Sequence, residues 1–286
     1  MDKNKEALCF HWPDQAMTLG NHLVFRKEVE LLLQANKREK AYIYFAPESI
    51  SFNVFSFFSE LLESSKLFLH PQFKKTEEKI VWPPSDKMDK LWNYGSFKRL
   101  DLLVKRTGIF PELLWKSSLL TQLKKIYKEL TKEKNPLITV HLKHSSDRID
   151  ESNANQLNWY AFFKNHPTHI FFLIGEDKSH PSFKRLENLF FAKEFPLSIS
   201  SQLAFCSLSD GFMGMASGPC NSACLSRLPY VIFKDPKHHA KEMQMELGNN
   251  EHLPFALPWQ KIWRKKDTLE NLEKAFEILS SAKVVQ

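Results

Sequence analysis

Three stretches of this 286-residue chain place polar side chains at spacings that suit ligand chemistry. The first is "SDGFMGMASGPCNSACLSRLPYVIF", residues 209–233, which holds three of the chain's eight glycines. Ser217, Gly218, Pro219 and Asn221 stand there between an apolar strand-like run and a run of small residues. Pro219 suits the first position of a helix, where its missing N–H would lack a partner anyway. A helix start offers unpaired backbone N–H groups and the positive end of the peptide dipoles, which together cradle a phosphate. Ser217 also reads as a helix cap. Gly211 and Gly214 read as close-packing positions within the strand, and Gly218 as the glycine that lies against a ligand. The second stretch is "VHLKHSSDR", where His141 and Lys143 are two apart and share a strand face. Lys143 can meet a phosphate as a point charge. The third is "LIGED", where Glu176 and Asp177 close a very apolar run and can accept hydrogen bonds from sugar or ribose hydroxyls.

Other chemistries are missing from the sequence. No Gly-Lys-Ser/Thr follows the glycines and no G-x-G-x-x-G is present, so neither common nucleotide loop applies. No G-x-S-x-G supports a nucleophile elbow. The chain also lacks H-E-x-x-H, C-x-x-C and D-x-D, so nothing in it demands a metal. Its four cysteines, Cys9, Cys206, Cys220 and Cys224, do not make a disulfide framework and read as reduced small hydrophobes suited to a reducing cytoplasm.

The elements that would position these residues alternate in type. Residues 135–235 give a strand at "NPLITVHLK", a helix at "LNWYAFFKNH" and a strand at "HIFFLIGED". "SFKRLENLFFAKE" reads as a helix, "PLSIS" as a short strand and "SSQLAFCSLS" as a helix. "GFMGMA" is then a strand, "GPCNSACLSRL" a helix and "PYVIF" the last clear strand. Strands apolar on both faces and separated by helices imply a parallel sheet covered on both sides. The first part repeats the rhythm more weakly: a helix over 23–35, a strand at "AYIYFAPE", a helix at "SFNVFSFFSELLESS" and a strand near 66–70. Residues 71–96 read as a loop-rich excursion, followed by helices over 97–106 and 111–133. The expected fold class is α/β, with two Rossmann-like domains of parallel strands facing a cleft. Residues 1–134 would form the first domain and 135–262 the second. Residues 263–286 would be a C-terminal helix that packs back on the first domain.

Composition fits such an architecture. Apolar residues make up 43% of the chain and 24 are phenylalanine, enough for a large aromatic core. The net charge is +7, with basic clusters at 98–106, 124–134 and 261–266. Acidic residues interleave with most of them, which argues against a nucleic-acid stripe. The first residues, "MDKNKEALCFHWPDQ", lack a signal-peptide core, and no window approaches a membrane span. A cytoplasmic protein is expected, one able to lie peripherally at an inner membrane.

The segment "SSQLAFCSLSDGFMGMASGPCNSACLSRLPYVIF" resembles the donor domain of bacterial GT-B glycosyltransferases. In heptosyltransferase-like members a helix leads to an aspartate, an apolar strand and a Ser-Gly-Pro turn, here Asp210, "GFMGMA" and Ser217-Gly218-Pro219. "ITVHLKHSSD" is similar to the His-x-Arg strand of fucosyltransferase-like members, with Lys143 in place of arginine and hence without its bidentate fork. The likeness covers residues 135–235, and "LGNHLVFRKEVELL" has the position of the loop and helix that open the acceptor domain. The resemblance implies a hexosyl- or heptosyl-type glycosyltransferase of cell-surface glycans that needs no metal or other cofactor. A nucleotide-sugar would be its donor substrate, a glycan or lipid-linked hydroxyl its acceptor, and nucleic acid no partner. The donor would lie at His141, Lys143, Asp177, Ser217, Gly218, Pro219 and Asn221. The general base would come from the first domain, with Asp14 as candidate and His11 and Glu28 behind it. A nucleotide-sugar epimerase or hydrolase of the same fold, and a non-catalytic binding protein on a degenerate GT-B fold, are the alternatives.

Overall fold

The computed structural model describes residues 6–11, 18–45, 60–61, 67–70, 80–81, 96–132, 134–145 and 151–282. The chain divides into two compact units, Met1–Lys116 and Ser117–Gln286. The boundary therefore falls earlier than the expected 134.

In the first unit, strand β1 (Glu6–His11) leads to helix α1 (Leu19–Ala35) and strand β2 (Lys40–Phe45). Strands β3 (Leu67–His70) and β4 (Ile80–Val81) and helix α2 (Ser96–Thr107) follow. The four strands form a parallel sheet in the order β3-β2-β1-β4. Thr18 caps α1 by accepting from the Asn21 N–H. That helix buries its apolar residues and its charged ones alike. Arg26 pairs with Glu30 at 3.2 Å, Lys27 with Glu30 at 3.1 Å, and Arg99 of α2 with Glu28 at 3.1 Å. Pairing of this kind is what lets buried charges persist. Apart from Glu60 and Leu61, the expected helix at "SFNVFSFFSELLESS" lies outside the described residues.

The second unit begins with helix α3 (Ser117–Thr131) and strand β5 (Leu137–His141). Helix α4 (Gln156–Asn165), strands β6 (Ile170–Leu173) and β7 (Leu189–Phe191), and helix α5 (Ile199–Phe205) come next. Strand β8 (Gly211–Met215), the one-turn helix α6 (Asn221–Cys224), strand β9 (Tyr230–Phe233), helix α7 (Ala240–Leu247), strand β10 (Gln260–Trp263) and helix α8 (Leu269–Ser281) complete it. The sheet is all parallel, ordered β10-β9-β8-β5-β6-β7. β5, β6, β8 and β9 are buried at every position, the pattern of strands covered on both faces. One core layer joins Trp159, Phe162 and Phe163 of α4 to Phe171, Phe233 and, from α8, Phe276. Edge-on ring contacts such as Trp159–Phe233, at 6.2 Å, organise it.

The structure revises three local expectations. "SFKRLENLFFAKE" is not a helix: a 3₁₀ turn at Pro181–Arg185 precedes β7, whose Leu189 pairs with Phe171. "PLSIS" forms no strand, because Ser198 caps α5 there instead. β10 and α7 lie beyond the strand expected to be the last, and β10 pairs with β9 through Gln260↔Tyr230 to Trp263↔Phe233. α8 packs against α4 and β9 within the second unit.

Candidate functional site

The second unit's strand order reverses between β5 and β8. The chain starts at β5, runs out through β6 and β7, then returns to β8 on the other side of β5 and continues to β9 and β10. In open parallel sheets ligands bind beyond the carboxyl ends of the strands at such a switch point. His141, Lys143, Ser217, Gly218, Pro219 and Asn221 all lie at or just after those two strand ends, and Asp177 follows the neighbouring β6.

His141 is a buried post rather than an open contact. Its Nδ1 lies 3.1 Å from the Ile174 carbonyl oxygen. Burial holds its pKa below the usual histidine range, the Ile174 carbonyl and the Asp177 charge acting against that and Lys143 with it. The ring is therefore neutral near pH 7, with an N–H donated to that carbonyl. Glycines crowd it on two sides. A β-carbon on Gly214 would stand 2.4 Å from the His141 carbonyl oxygen, and one on Gly175 would stand 2.9 Å from Nδ1. Gly175 also has φ +98°, a conformation side chains rarely adopt.

The loop after β5 is tied down on both sides. Asp177 accepts from the His144 N–H at 3.0 Å, so one carboxylate oxygen holds the loop. Lys143 donates from Nζ to the Ser152 hydroxyl, and its carbonyl accepts from the Ala154 N–H at 2.8 Å. Asn153 closes the loop through Ser145, accepting at 2.9 Å and donating at 3.2 Å. Gln202 of α5, absent from the sequence reading, fixes the β6 end: it accepts from the Gly175 N–H at 2.8 Å and donates to Glu176 at 3.0 Å.

The turn after β8 departs from the expected helix start. Ser217 is extended, and its side chain caps no backbone N–H. A 3₁₀ turn at Gly218–Cys220 follows, then the four residues of α6. So short a helix carries little macrodipole, and any anion here depends on side-chain cations and individual N–H groups. The Cys220 thiol donates to the Met215 carbonyl at 2.8 Å and lies 3.7 Å from the Ser217 hydroxyl. Burial pushes the thiols up, to about 11 for Cys220 and about 12 for Cys206, and Cys224 well above its ordinary value. All three stay protonated and unreactive near neutral pH. They are free and buried, as small hydrophobes are.

A second lysine, outside the residues expected from sequence, borders this turn. Lys234 directly follows β9, the neighbour of β8, and its N–H donates to the Trp263 carbonyl at 2.9 Å. Its charge reaches the Cys220 thiol. Its Nζ lies 2.8 Å from Nδ1 of His238, whose N–H in turn donates to the Asp235 carbonyl. The signal was in "VIFKDPKHH", two lysines and two histidines at the end of a buried strand.

Asp210 lies apart from the residues at the carboxyl ends of the strands. It lies at the amino ends of β5 and β8, accepting from the Leu137 N–H at 2.8 Å and the Tyr127 hydroxyl at 3.3 Å. In the first unit, His11 ends β1 opposite Phe45. Asp14 lies outside the described residues. Glu28 is buried and takes the Arg99 ion pair. Among the described residues, no group of three or more His, Cys, Asp or Glu is arranged to hold a metal ion, and no helix is long and apolar enough to cross a membrane.

Solved structures share this arrangement over nearly the whole chain. A family 9 glycosyl transferase from Veillonella parvula superposes at TM-score 0.57, with 97% of this chain and 98% of that one covered at 10% identity. The chain has the GT-B fold. E. coli heptosyltransferase WaaC, solved with ADP, gives this GT-B chain a TM-score of 0.53 at 9% identity, covering 97% of it and all 100% of WaaC. The iron-containing dodecameric glycosyltransferase TibC of enterotoxigenic E. coli gives 0.51 at 10% identity, covering 97% of this chain and 76% of TibC. No family model matches the sequence, and no curated protein does. The likeness of this chain to those enzymes is thus one of fold.

Proposed function

We propose that this chain is a glycosyltransferase that moves a hexosyl or heptosyl group from a nucleotide-sugar to an acceptor hydroxyl without requiring a metal. The observation that carries the reading is the switch point of a GT-B sheet with a lysine at the strand end on each side of the Ser217–Gly218–Pro219 turn, Lys143 after β5 and Lys234 after β9. In transfer, the bond from the anomeric carbon to the donor phosphate breaks and one to the acceptor oxygen forms. The acceptor's proton goes to a base, and the electron pair leaves with the nucleoside diphosphate. Charge develops on that leaving group, and fixed cations beside it lower the barrier. Lys143 and Lys234 supply this charge in the reading, each oriented by a neighbour, Ser152 or His238. The carboxylate oxygen of Asp177 not used on His144 would meet a sugar or ribose hydroxyl. Asp14 or His11 of the first unit would be the base, and the acceptor a bacterial cell-surface glycan or lipid-linked hydroxyl met in the cytoplasm or peripherally at the inner membrane.

A thermal-shift panel of nucleoside diphosphates and nucleotide-sugars tests this. A ligand at a hundred times its Kd stabilises by about 2.7 kcal/mol, so one class of nucleotide should raise the melting temperature by several degrees. Lys143→Met and Lys234→Met should each shrink that shift, and Lys143→Arg should keep it. An unchanged shift in both methionine variants removes the site assignment. The short α6 favours one second reading, a nucleotide-binding protein without transfer. It predicts the same shift with no product formed from any acceptor.

A further inference from the structure

The basic cluster at residues 124–134 is not used by the switch-point site, and it borders a separate depression of about 750 Å³ at the opposite, amino-terminal end of the second sheet. We infer that this depression is a second binding site, for a phosphate ester carried on a hydroxyl-rich body.

Its walls are built by packing. Tyr127 fixes α3: its ring lies 6.5 Å from that of Phe205, and its hydroxyl donates to Asp210. Lys124 and Lys128 are one turn apart and so share a face of α3, and both line the depression. The helix ends at Lys132, whose φ of +49° is a left-handed conformation that costs a residue with a β-carbon. That bend returns the chain, the N–H groups of Lys134 and Asn135 both donating to the Thr131 carbonyl, and brings those two residues to the same rim.

The lining chemistry selects the ligand. Among the described residues that line it are three lysines and one carboxylate, Asp210, and that carboxylate already takes hydrogen bonds from Leu137 and Tyr127. Burial and the Asp210 charge raise the Tyr127 phenol to about 12, so it adds no second negative charge. The described lining residues carry an excess of positive charge, which calls for an anion. The volume lies within the range of small-molecule sites and exceeds what a bare phosphate fills. Asn135 and Ser207 line the remainder, where an amide and a hydroxyl can meet sugar-like hydroxyls. A free sugar phosphate and the headgroup of an anionic phospholipid both present this chemistry.

The test uses the whole chain and two probes, a hexose phosphate followed by calorimetric titration, and phosphatidylcholine vesicles with and without phosphatidylglycerol followed by co-sedimentation. Wild type should bind one of them, weakening as salt rises. An exposed ion pair is worth up to about fivefold, so Lys124→Met/Lys128→Met/Lys134→Met should lose at least about tenfold, and the matching triple arginine variant should retain binding. Hexose phosphate binding assigns the soluble source, and vesicle binding that needs phosphatidylglycerol assigns the lipid. The nucleotide-induced melting shift should be the same in all three proteins, because the switch point is at the other end of the sheet. A wild type that binds neither probe, or a triple methionine variant that binds like wild type, overturns the inference.

Discussion

Gly214 gives the sharpest check on how the second sheet is built. Replacing it with alanine adds one methyl group where β8 faces β5. That carbon would meet the His141 carbonyl oxygen at 2.4 Å, its nitrogen at 3.0 Å and its carbonyl carbon at 3.2 Å, whereas ordinary contact begins at 3.4 Å. All three atoms are backbone, held by the pairing of His141 with Gly214. Relief therefore requires the two central strands to part, loosening β-sheet hydrogen bonds and the packing above them. Overpacking of this kind costs about 1–3 kcal/mol, and more where the neighbour is rigid. We expect about 3 kcal/mol for Gly214→Ala. Gly211→Ala is the matched control three residues away on the same strand. Its β-carbon meets the Cδ1 of Ile138 at 3.0 Å, a side-chain tip that can rotate aside, so its cost should stay below about 1 kcal/mol. Urea unfolding of both variants gives the comparison, with the slopes checked for constancy so that midpoint shifts report stability. At about 2–4 °C per kcal/mol for a unit of this size, Gly214→Ala should also melt roughly 6–12 °C lower. If the two variants prove equally stable, or if Gly211→Ala is the worse, the strand packing described above is wrong.

Other perturbations reach different parts of the chain. His22 is buried, with Nδ1 2.8 Å from the Thr18 carbonyl, and burial lowers its pKa from 6.5 to about 4. The unfolded chain therefore binds that proton more readily. The His22 contribution is fully present above pH 6.5, and stability should fall by up to about 3 kcal/mol as pH drops to 4. Urea midpoints measured across that range should fall less in His22→Gln than in wild type. Asp210→Asn should cost about 1–3 kcal/mol, because Oδ2 alone accepts from both Leu137 and Tyr127 and the amide loses the negative charge that strengthens both bonds. It should also bring the Tyr127 titration down from about 12 part of the way to 10, readable from phenolate absorbance.

Much of the second unit was legible in the sequence. β5, β6, β8 and β9 are short apolar runs closed by turn residues, and burial on both faces leaves that mark in composition. β7 was hidden because "SFKRLENLFFAKE" has helical spacing, and only pairing with β6 makes three of its residues a strand. β10 was hidden because Gln260 and Lys261 dilute the apolar signal. Gln260 is nevertheless fully buried, its amide donating to the Ser226 and Leu228 carbonyls.

The candidate site was legible in its residue types and less so in their duties. Periodicity and turn chemistry, both local properties, determined by themselves that the chain alternates helix and strand and that Lys143, Asp177 and Ser217–Asn221 follow strands. Which strands are neighbours depends on contacts between distant residues, which no local pattern encodes. Tertiary structure therefore decided that β8 lies beside β5, that Lys234 joins Lys143 beside the Ser217 turn, and that Asp210 serves the opposite end of the sheet. It also decided that Gly214 is there to let two backbones touch, because the atom a side chain would strike belongs to a strand more than sixty residues away.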